Sequence, residues 1–142
     1  MQRFEQEDTE DQVRILLVED DEAIAELYQL RLETDGYVVE TARDGEAGLA
    51  QATDNPPDLI FLDLRLPGLS GIDLLQRLRA NPTTTDIPVV IVTNYDEPEL
   101  RTKGLSLGAL EFLVKADMIP ARLTQSAERW TAKPQQREAP PR

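Results

Sequence analysis

Acidic side chains directly follow two apolar segments of this sequence. Glu19 and Asp20 come after Val13–Val18, and Asp63 comes after Leu59–Leu62. Continuous apolar runs of this length are typical of central strands in a parallel sheet, where an ionised group is unfavourable unless it is paired or bound to a metal. We therefore expect these carboxylates at the exits of two strands, in a site that can hold their charge.

Two further polar side chains stand in equivalent positions. Thr93 follows the apolar run Ile87–Val92, and Lys115 follows the run Leu110–Val114. In an open parallel sheet, ligands bind outside the carboxyl ends of the strands, near the point where the strand order reverses. We expect the four strand ends to bring carboxylates, one hydroxyl and one ammonium group to a single edge.

Carboxylates gathered in this way repel one another, which raises their pKa values and destabilises the fold unless a cation lies among them. Mg²⁺ suits such a site because it is a hard cation, typically held by one or two carboxylates together with water and a phosphoryl oxygen. A carboxylate can also attack phosphorus to form an aspartyl phosphate. Lysine and a hydroxyl group then meet the charge of the transferred group. The residue types therefore predict magnesium-assisted phosphoryl chemistry.

The elements that must position these residues alternate along the chain. A fifth apolar run, Tyr37–Thr41, completes the predicted strands, and the segment Arg43–Ala52 is rich in Ala and Gly. Strict alternation of strands and helices predicts an α/β domain with a doubly wound, five-stranded parallel sheet and helices on both faces. In the other four intervening segments apolar or small residues recur at helical spacing: Ala23, Leu27 and Leu30; Ile72, Leu75 and Leu78; Leu100, Gly104 and Leu107; and Ile119, Leu123, Ala127 and Trp130.

The composition limits the functions open to this chain. A chain of 142 residues with 40% hydrophobic residues forms one domain with a real core. It contains no His and no Cys, which removes the commonest general base, an internal phosphohistidine and all thiol chemistry. No segment approaches the roughly 20 apolar residues that span a bilayer, and the N-terminus lacks the apolar centre of a secretory signal. We expect a soluble, cytoplasmic protein.

The charge balance is strongly acidic. A net charge of -12, from 27 acidic and 15 basic residues, argues against nucleic-acid binding and favours cations or basic partner surfaces. The alternative is that much of this charge serves only solubility. Residues 1–12 are acidic and residues 131–142 carry three prolines, so both ends are predicted to be disordered tails around a domain at 13–130.

Four motifs resemble those of two-component response regulator receiver domains. They are "ILLVEDDE", "LIFLDLRLPGLSG", "VVIVTN" and "GALEFLVK", and they occur in the family's order and spacing from Val13 to about Glu128. Each motif alone is weak, whereas four in register are specific. The resemblance implies a stand-alone, single-domain receiver with the flavodoxin-like strand order 2-1-3-4-5.

The resemblance also implies roles for the acidic residues. Asp63 is expected to be the phosphoacceptor and, with Asp20, a direct ligand of Mg²⁺. Glu19 is expected to hold the ion directly or through water, and the backbone carbonyl of Arg65 is expected to be a further ligand. The alternative for Glu19 and Asp20 is a purely local role, as negative charges favoured at the N-terminus of the first helix.

The remaining strand-end residues receive their roles in the same way. Thr93 and Lys115 are expected to contact phosphoryl oxygens, and Phe112 occupies the position of the family's switch aromatic, which moves together with the Thr. Phe112 is equally open to interpretation as a core residue. Phosphorylation is then expected to remodel the face formed by the fourth helix, the fifth strand and the fifth helix.

Two positions depart from the family pattern. Ala116 follows Lys115, where receivers usually have a Pro with a cis bond, so an ordinary trans peptide is expected there. Asn94 follows Thr93 in place of a small residue, and Tyr95 comes next. The added bulk is expected to shield the phosphoryl group and slow its hydrolysis.

These features favour a signalling module over an enzyme. Because the chain has no His, the phosphoryl donor is expected to be a sensor histidine kinase or a phosphotransfer protein. The output is expected to be a contact with an unknown downstream protein, with neither nucleic acid nor membrane bound directly. A homodimer through the last two helices is a further candidate assembly.

One alternative is a receiver-like interaction module that is never phosphorylated. Another is a Mg²⁺-dependent phosphatase of the haloacid dehalogenase type, which needs a second Asp where this chain has Arg65.

Overall fold

A parallel five-stranded sheet forms the centre of the computed structural model, which describes residues 12–94, 96–117 and 120–131. The strand order is β2-β1-β3-β4-β5, and all neighbouring strands are parallel. This confirms the predicted fold class and strand order. The strands are β1 (Arg14–Val18), β2 (Val38–Ala42), β3 (Leu59–Leu62), β4 (Val89–Thr93) and β5 (Glu111–Val114).

Helices connect the strands, and local capping fixes where three of them begin. The side chains of Asp21, Asp44 and Ser70 each accept a hydrogen bond from the backbone N–H three residues ahead, which satisfies a donor that has no partner inside the helix. A short 3-10 turn, Lys115–Asp117, follows β5. The helices are α1 (Glu22–Thr34), α2 (Gly45–Asp54), α3 (Gly71–Ala80), α4 (Pro98–Ser106) and α5 (Pro120–Thr131).

Two apolar clusters, one on each face of the sheet, form the core. On one face α3 packs through Leu74, Leu75 and Leu78. On the other face α5 packs through Leu123 and Ala127. Strand β3 is buried between them along its whole length, which explains why its sequence is a continuous apolar run rather than an alternating one.

The strand register brings the strand ends to one edge. Val18 of β1 lies beside Leu62 of β3, and Thr93 of β4 lies beside Val114 of β5. The residues that follow these positions therefore emerge together at the carboxyl edge of the sheet. This is the edge at which the sequence predicted a site.

The buried face of α1 differs from the apolar stripe noted in the sequence. That stripe correctly indicated a helix, but Leu27 and Leu30 are 51% and 64% exposed. A second set of residues at helical spacing faces the sheet instead. Spacing alone cannot choose between two overlapping stripes; the fit against β2 and α5 decides which is buried. The buried residues are Ala25, Tyr28 and Leu32.

Several sequence predictions concern the ends of the chain and its backbone. The predicted tails at 1–12 and 131–142 lie outside the described residues, apart from Gln12 and Thr131. Ile119 also lies outside them. No described peptide bond is cis, so the bond between Lys115 and Ala116 is trans, as expected. None of the helices in the described ranges combines the length and apolar character that a bilayer crossing requires.

Candidate functional site

Three acidic residues converge at the carboxyl edge of the sheet. Glu19, Asp20 and Asp63 each offer one carboxylate oxygen, and these oxygens all lie within 4.8 Å of one another. Glu19 and Asp63 are buried, whereas Asp20 is exposed. The structure thus brings the acids of the first and third strands to one place, as the sequence predicted.

Backbone hydrogen bonds hold the two buried acids in place. The N–H of Glu19 donates to the carbonyl of Ala42 at 2.9 Å, and the N–H of Asp63 donates to the carbonyl of Val18 at 3.0 Å. These bonds extend the sheet ladder one residue beyond β1 and β3. Both acids are therefore fixed by the sheet rather than by flexible loops.

Each buried carboxylate has one oxygen occupied by the loop that follows it. Glu19 Oε2 accepts from the N–H of Asp21 at 3.0 Å, and Asp63 Oδ1 accepts from the N–H of Arg65 at 3.1 Å. The other oxygen of each carboxylate faces Lys115. This division orients both carboxylates toward the same point.

Gly71 permits the start of α3 to approach Asp63 closely. A Cβ atom at this position would lie 2.4 Å from the carbonyl oxygen of Asp63 and 2.5 Å from the Cα of Leu64. Because these are backbone atoms, no side-chain adjustment could make room. Glycine is therefore required where α3 meets the exit of β3.

Lys115 joins the two buried acids. Its Nζ donates to Glu19 Oε1 at 2.5 Å and to Asp63 Oδ2 at 3.1 Å. Burial by itself would lower the pKa of Lys115, but the hydrogen bond to Glu19 and the charges of both carboxylates outweigh it and raise that pKa. Burial raises the pKa of Glu19 above its usual range, and Lys115 offsets this only in part. Lys115 is therefore a cation in the site.

The residues present fit a hard divalent cation. Three carboxylates and one ammonium group leave two negative charges, and the cluster offers only oxygen ligands, the donor type that Mg²⁺ prefers. Asp20 keeps one side of the cluster open to solvent. No described contact involves the carbonyl of Arg65, so its role as a ligand stays a prediction.

Thr93 lies at the same edge. It is the last residue of β4, is buried, and pairs in register with Val114, the residue before Lys115. Its position is the one the sequence predicted. Its contact with a phosphoryl group stays a prediction.

Phe112 is a buried member of the core cluster that contains α3. The guanidinium of Arg101, on α4, covers its ring at 4.6 Å from the centroid. Arg101 also pairs with Asp96, with Nη2 and Oδ1 3.2 Å apart. This buried position agrees with the interpretation of Phe112 as a core residue, while its switch role stays a prediction.

The side chain of Arg65 makes a contact that the sequence did not indicate. The family resemblance implied a role only for the backbone carbonyl of this residue, but its guanidinium forms an ion pair with Glu97, 32 residues further along the chain. Glu97 is the N-cap residue of α4. No local pattern could indicate this pair, because only the adjacency of β3 and β4 in the sheet brings the two loops together.

The fold and the site together define a class of protein: a doubly wound α/β domain with an acidic cluster and a lysine at its carboxyl edge is the arrangement of phosphoacceptor signalling domains. A family model described as "Response regulator receiver domain" matches residues 15–128. The chain belongs to this family, which confirms the resemblance seen in the four motifs. Receiver domains are signalling modules of two-component systems, and they interact with histidine kinases or phosphotransfer proteins.

Individual relatives agree with this assignment. The response regulator PleD of Caulobacter vibrioides is 43% identical over 102 residues, which cover 72% of this chain and 22% of PleD. The chain spans about half or less of the length of the curated relatives it matches.

Among solved structures, the chemotaxis protein CheY4 of Vibrio cholerae superposes with a TM-score of 0.78 and 29% identity, covering 84% of this chain and 98% of that one. The Mn²⁺-bound form of the response regulator Rcp1 gives a TM-score of 0.75 and 29% identity, covering 85% of this chain and 96% of that one.

Proposed function

We propose that Asp63 is the phosphoacceptor of this receiver domain and that Glu19, Asp20, Asp63 and the carbonyl of Arg65 hold Mg²⁺. The observation that carries the proposal is the position of the Asp63 carboxylate, which accepts from Lys115 Nζ at 3.1 Å and lies within 4.8 Å of two further carboxylates. The Mn²⁺-bound form of Rcp1 supports a divalent cation in a fold of this kind.

The proposed step transfers a phosphoryl group from a phosphohistidine. An oxygen of Asp63 forms a bond to phosphorus while the bond between phosphorus and the donor's imidazole nitrogen breaks. The nitrogen keeps that electron pair and is protonated from solvent. When bound, Mg²⁺ supplies positive charge to the transferring oxygens. Lys115 and Thr93 donate hydrogen bonds to the same oxygens.

The phosphohistidine lies outside this sequence, which contains no His. We assign the role of phosphoryl donor to a sensor histidine kinase or a phosphotransfer protein, and the output to a contact with a downstream protein target rather than with nucleic acid or membrane. A homodimer through α4 and α5 belongs to the same proposal. So does the cytoplasmic location, which stays a prediction.

We propose a signalling module and not a phosphatase. A haloacid dehalogenase-type phosphatase needs an acid/base carboxylate two residues after its nucleophile, and here that position holds Arg65. A guanidinium stays protonated at any physiological pH, so it cannot take a proton from water. The phosphoryl group is therefore expected to be held on Asp63 rather than turned over repeatedly.

Intact-mass measurement after incubation with acetyl phosphate and Mg²⁺ tests this function. The wild-type chain is expected to gain one phosphoryl group and Asp63→Asn none. Asp73→Asn, which neutralises an exposed acid in the first turn of α3, is the matched control and is expected to behave like wild type. A gain in Asp63→Asn would assign the acceptor elsewhere, and no gain in any variant would favour the unphosphorylated interaction module. Repeated release of phosphate from a generic phosphomonoester would favour the phosphatase.

A further inference from the structure

The Arg65–Glu97 ion pair links the loop after β3, which carries the acidic site, to the start of α4. Arg65 is anchored to the site through its backbone, because its N–H donates to Asp63 Oδ1 at 3.1 Å. Its guanidinium instead extends to Glu97 at the start of α4. The side chains of Arg65 and Glu97 are 55% and 34% exposed, so neither is locked in place by packing.

We propose that Arg65 binds the phosphoryl group on Asp63, and that its guanidinium is paired with Glu97 until that group is present. Once Asp63 carries a phosphoryl group, the guanidinium leaves Glu97 and donates to the phosphoryl oxygens. This inference rests on the proposed function, since it requires the phosphoryl group to be on Asp63. It assigns a second cation to the site, beside Lys115.

The charges of the competing acceptors favour this exchange. Glu97 offers one negative charge, whereas a phosphoryl group carries about 1.5 to 2 negative charges and three acceptor oxygens. A guanidinium matches phosphate oxygens with two parallel N–H donors, which makes it a stronger ligand than a point charge. An exposed ion pair contributes little stability by itself, so the existing contact with Glu97 is readily given up.

The side chains of Lys115 and Arg65 differ in how tightly their surroundings hold them. Lys115 has a side chain that is only 8% exposed and is already bonded to two carboxylates. Arg65 has an exposed side chain whose only described side-chain partner is Glu97. Arg65 is therefore the cation that can respond when charge is added to Asp63.

The exchange also carries a consequence for α4. Glu97 is the N-cap of that helix, and its carbonyl accepts the N–H of Arg101 at 2.8 Å. When the guanidinium of Arg65 leaves Glu97, the Glu97 carboxylate is no longer bound to the loop after β3. Phosphorylation thus alters a contact at the start of α4 without any movement of the buried strands.

Beryllofluoride, which mimics a phosphoryl group on a carboxylate, serves as the probe in the presence of Mg²⁺. Its affinity for the full chain can be measured by ¹⁹F NMR titration. Arg65→Ala is expected to weaken binding about tenfold, as the loss of a charged hydrogen bond predicts, and Arg65→Lys to weaken it less. Arg77→Ala is the matched control for the loss of an exposed arginine and is expected to bind like wild type.

Substitution of Glu97 is expected to change the beryllofluoride affinity in the opposite direction. Glu97→Gln is expected to strengthen beryllofluoride binding about twofold or more, because Arg65 is no longer held back. Glu99→Gln removes the same charge from the first turn of α4 and controls for simple repulsion, so its effect is expected to be smaller. Equal gains in the two variants would overturn the proposal, because repulsion alone would then explain both.

The exchanged pair, Arg65→Glu with Glu97→Arg, distinguishes phosphoryl binding by Arg65 from a purely structural role of the ion pair. Its stability without beryllofluoride is expected to match that of wild type, while its beryllofluoride affinity stays as weak as that of Arg65→Ala. If the exchanged pair restored wild-type affinity, the ion pair would be only a structural brace and the proposal would fail.

Failure of the proposed function has a different signature. Wild type would then bind no beryllofluoride, or would bind it equally well after Asp63→Asn. Binding that depends on Asp63 but is equal in wild type and Arg65→Ala would overturn the role of Arg65 alone.

Discussion

Glu19 and Lys115 are 96 positions apart in the chain, yet Glu19 Oε1 and Lys115 Nζ lie 2.5 Å apart at the carboxyl edge of the sheet. Both side chains are buried. A buried charge that loses its partner is strongly destabilising, whereas an intact buried pair adds little net stability. Without a metal ion, the stability of the buried carboxylates therefore depends on Lys115.

Lys115→Met is expected to destabilise the metal-free protein by about 1 to 3 kcal/mol, because Glu19 and Asp63 lose the donor they share. Mg²⁺ is expected to restore more stability in this variant than in wild type, since the uncompensated repulsion that it relieves is larger. Urea unfolding with and without Mg²⁺ measures both effects. Lys103→Met, at an exposed position on α4, is the control. Unchanged metal-free stability in Lys115→Met would contradict the prediction.

Gly71→Ala is expected to destabilise the protein by about 1 to 3 kcal/mol and to weaken phosphorylation of Asp63. The added Cβ would meet backbone atoms of Asp63 and Leu64 at 2.4 and 2.5 Å, so α3 must shift away from the site. Gly48→Ala is the matched control, because its Cβ would meet only side-chain atoms, at 3.1 to 3.4 Å. Urea unfolding and intact-mass phosphorylation check the prediction, and equal behaviour of the two variants would refute it.

The location of the site could be predicted from the sequence for a simple geometric reason. Parallel strands end at a common edge, so Glu19, Asp63 and Lys115 needed only correct strand assignments to be placed together. The side chain of Arg65 could not be assigned in this way. Its partner, Glu97, follows a different strand, and an exposed ion pair leaves no hydrophobic pattern in the sequence.

The orientation of α1 could not be predicted for a related reason. Leu27 and Leu30 are more apolar than Ala25 and Tyr28, which lie on the opposite side and are buried. Residue hydrophobicity therefore pointed to the wrong face. The choice is made by shape, since Ala25 and Tyr28 fit the surface formed by the sheet and α5.

The stabilising contribution of Glu111 is expected to be lost in acid. Its carboxylate accepts hydrogen bonds from Ser126 Oγ at 2.5 Å, Arg129 Nη1 at 2.6 Å and Trp130 Nε1 at 2.9 Å, which tie β5 to α5. Burial acts to raise the pKa of Glu111, but these donors outweigh it and lower that pKa. A lowered pKa means that the stabilisation is present above the ordinary glutamate pKa of about 4.3 and is lost as the pH falls through the folded-state value.

Glu111→Gln tests this pH dependence. The variant is expected to be less stable than wild type by about 0.5 to 1.5 kcal/mol near neutral pH, with the difference shrinking below about pH 4.3. Urea unfolding at a series of pH values gives the comparison. Glu128→Gln, on an exposed face of α5, controls for the loss of one acidic charge. A difference between Glu111→Gln and wild type that stayed constant with pH would count against the predicted shift.

Asn94→Ala is expected to shorten the lifetime of the phosphorylated protein. Asn94 follows the buried Thr93 at the end of β4 and is itself exposed, so its side chain lies at the edge where the phosphoryl group is proposed to be held. Removing that bulk opens a path for water, and decay about two- to fivefold faster is expected, a change that corresponds to a modestly lower barrier. The decay is followed by intact mass after the small phosphodonor is removed. Asn55→Ala, an exposed position at the end of α2, is expected to leave the rate unchanged. The same decay rate in wild type and Asn94→Ala would mean that shielding at this position does not limit hydrolysis.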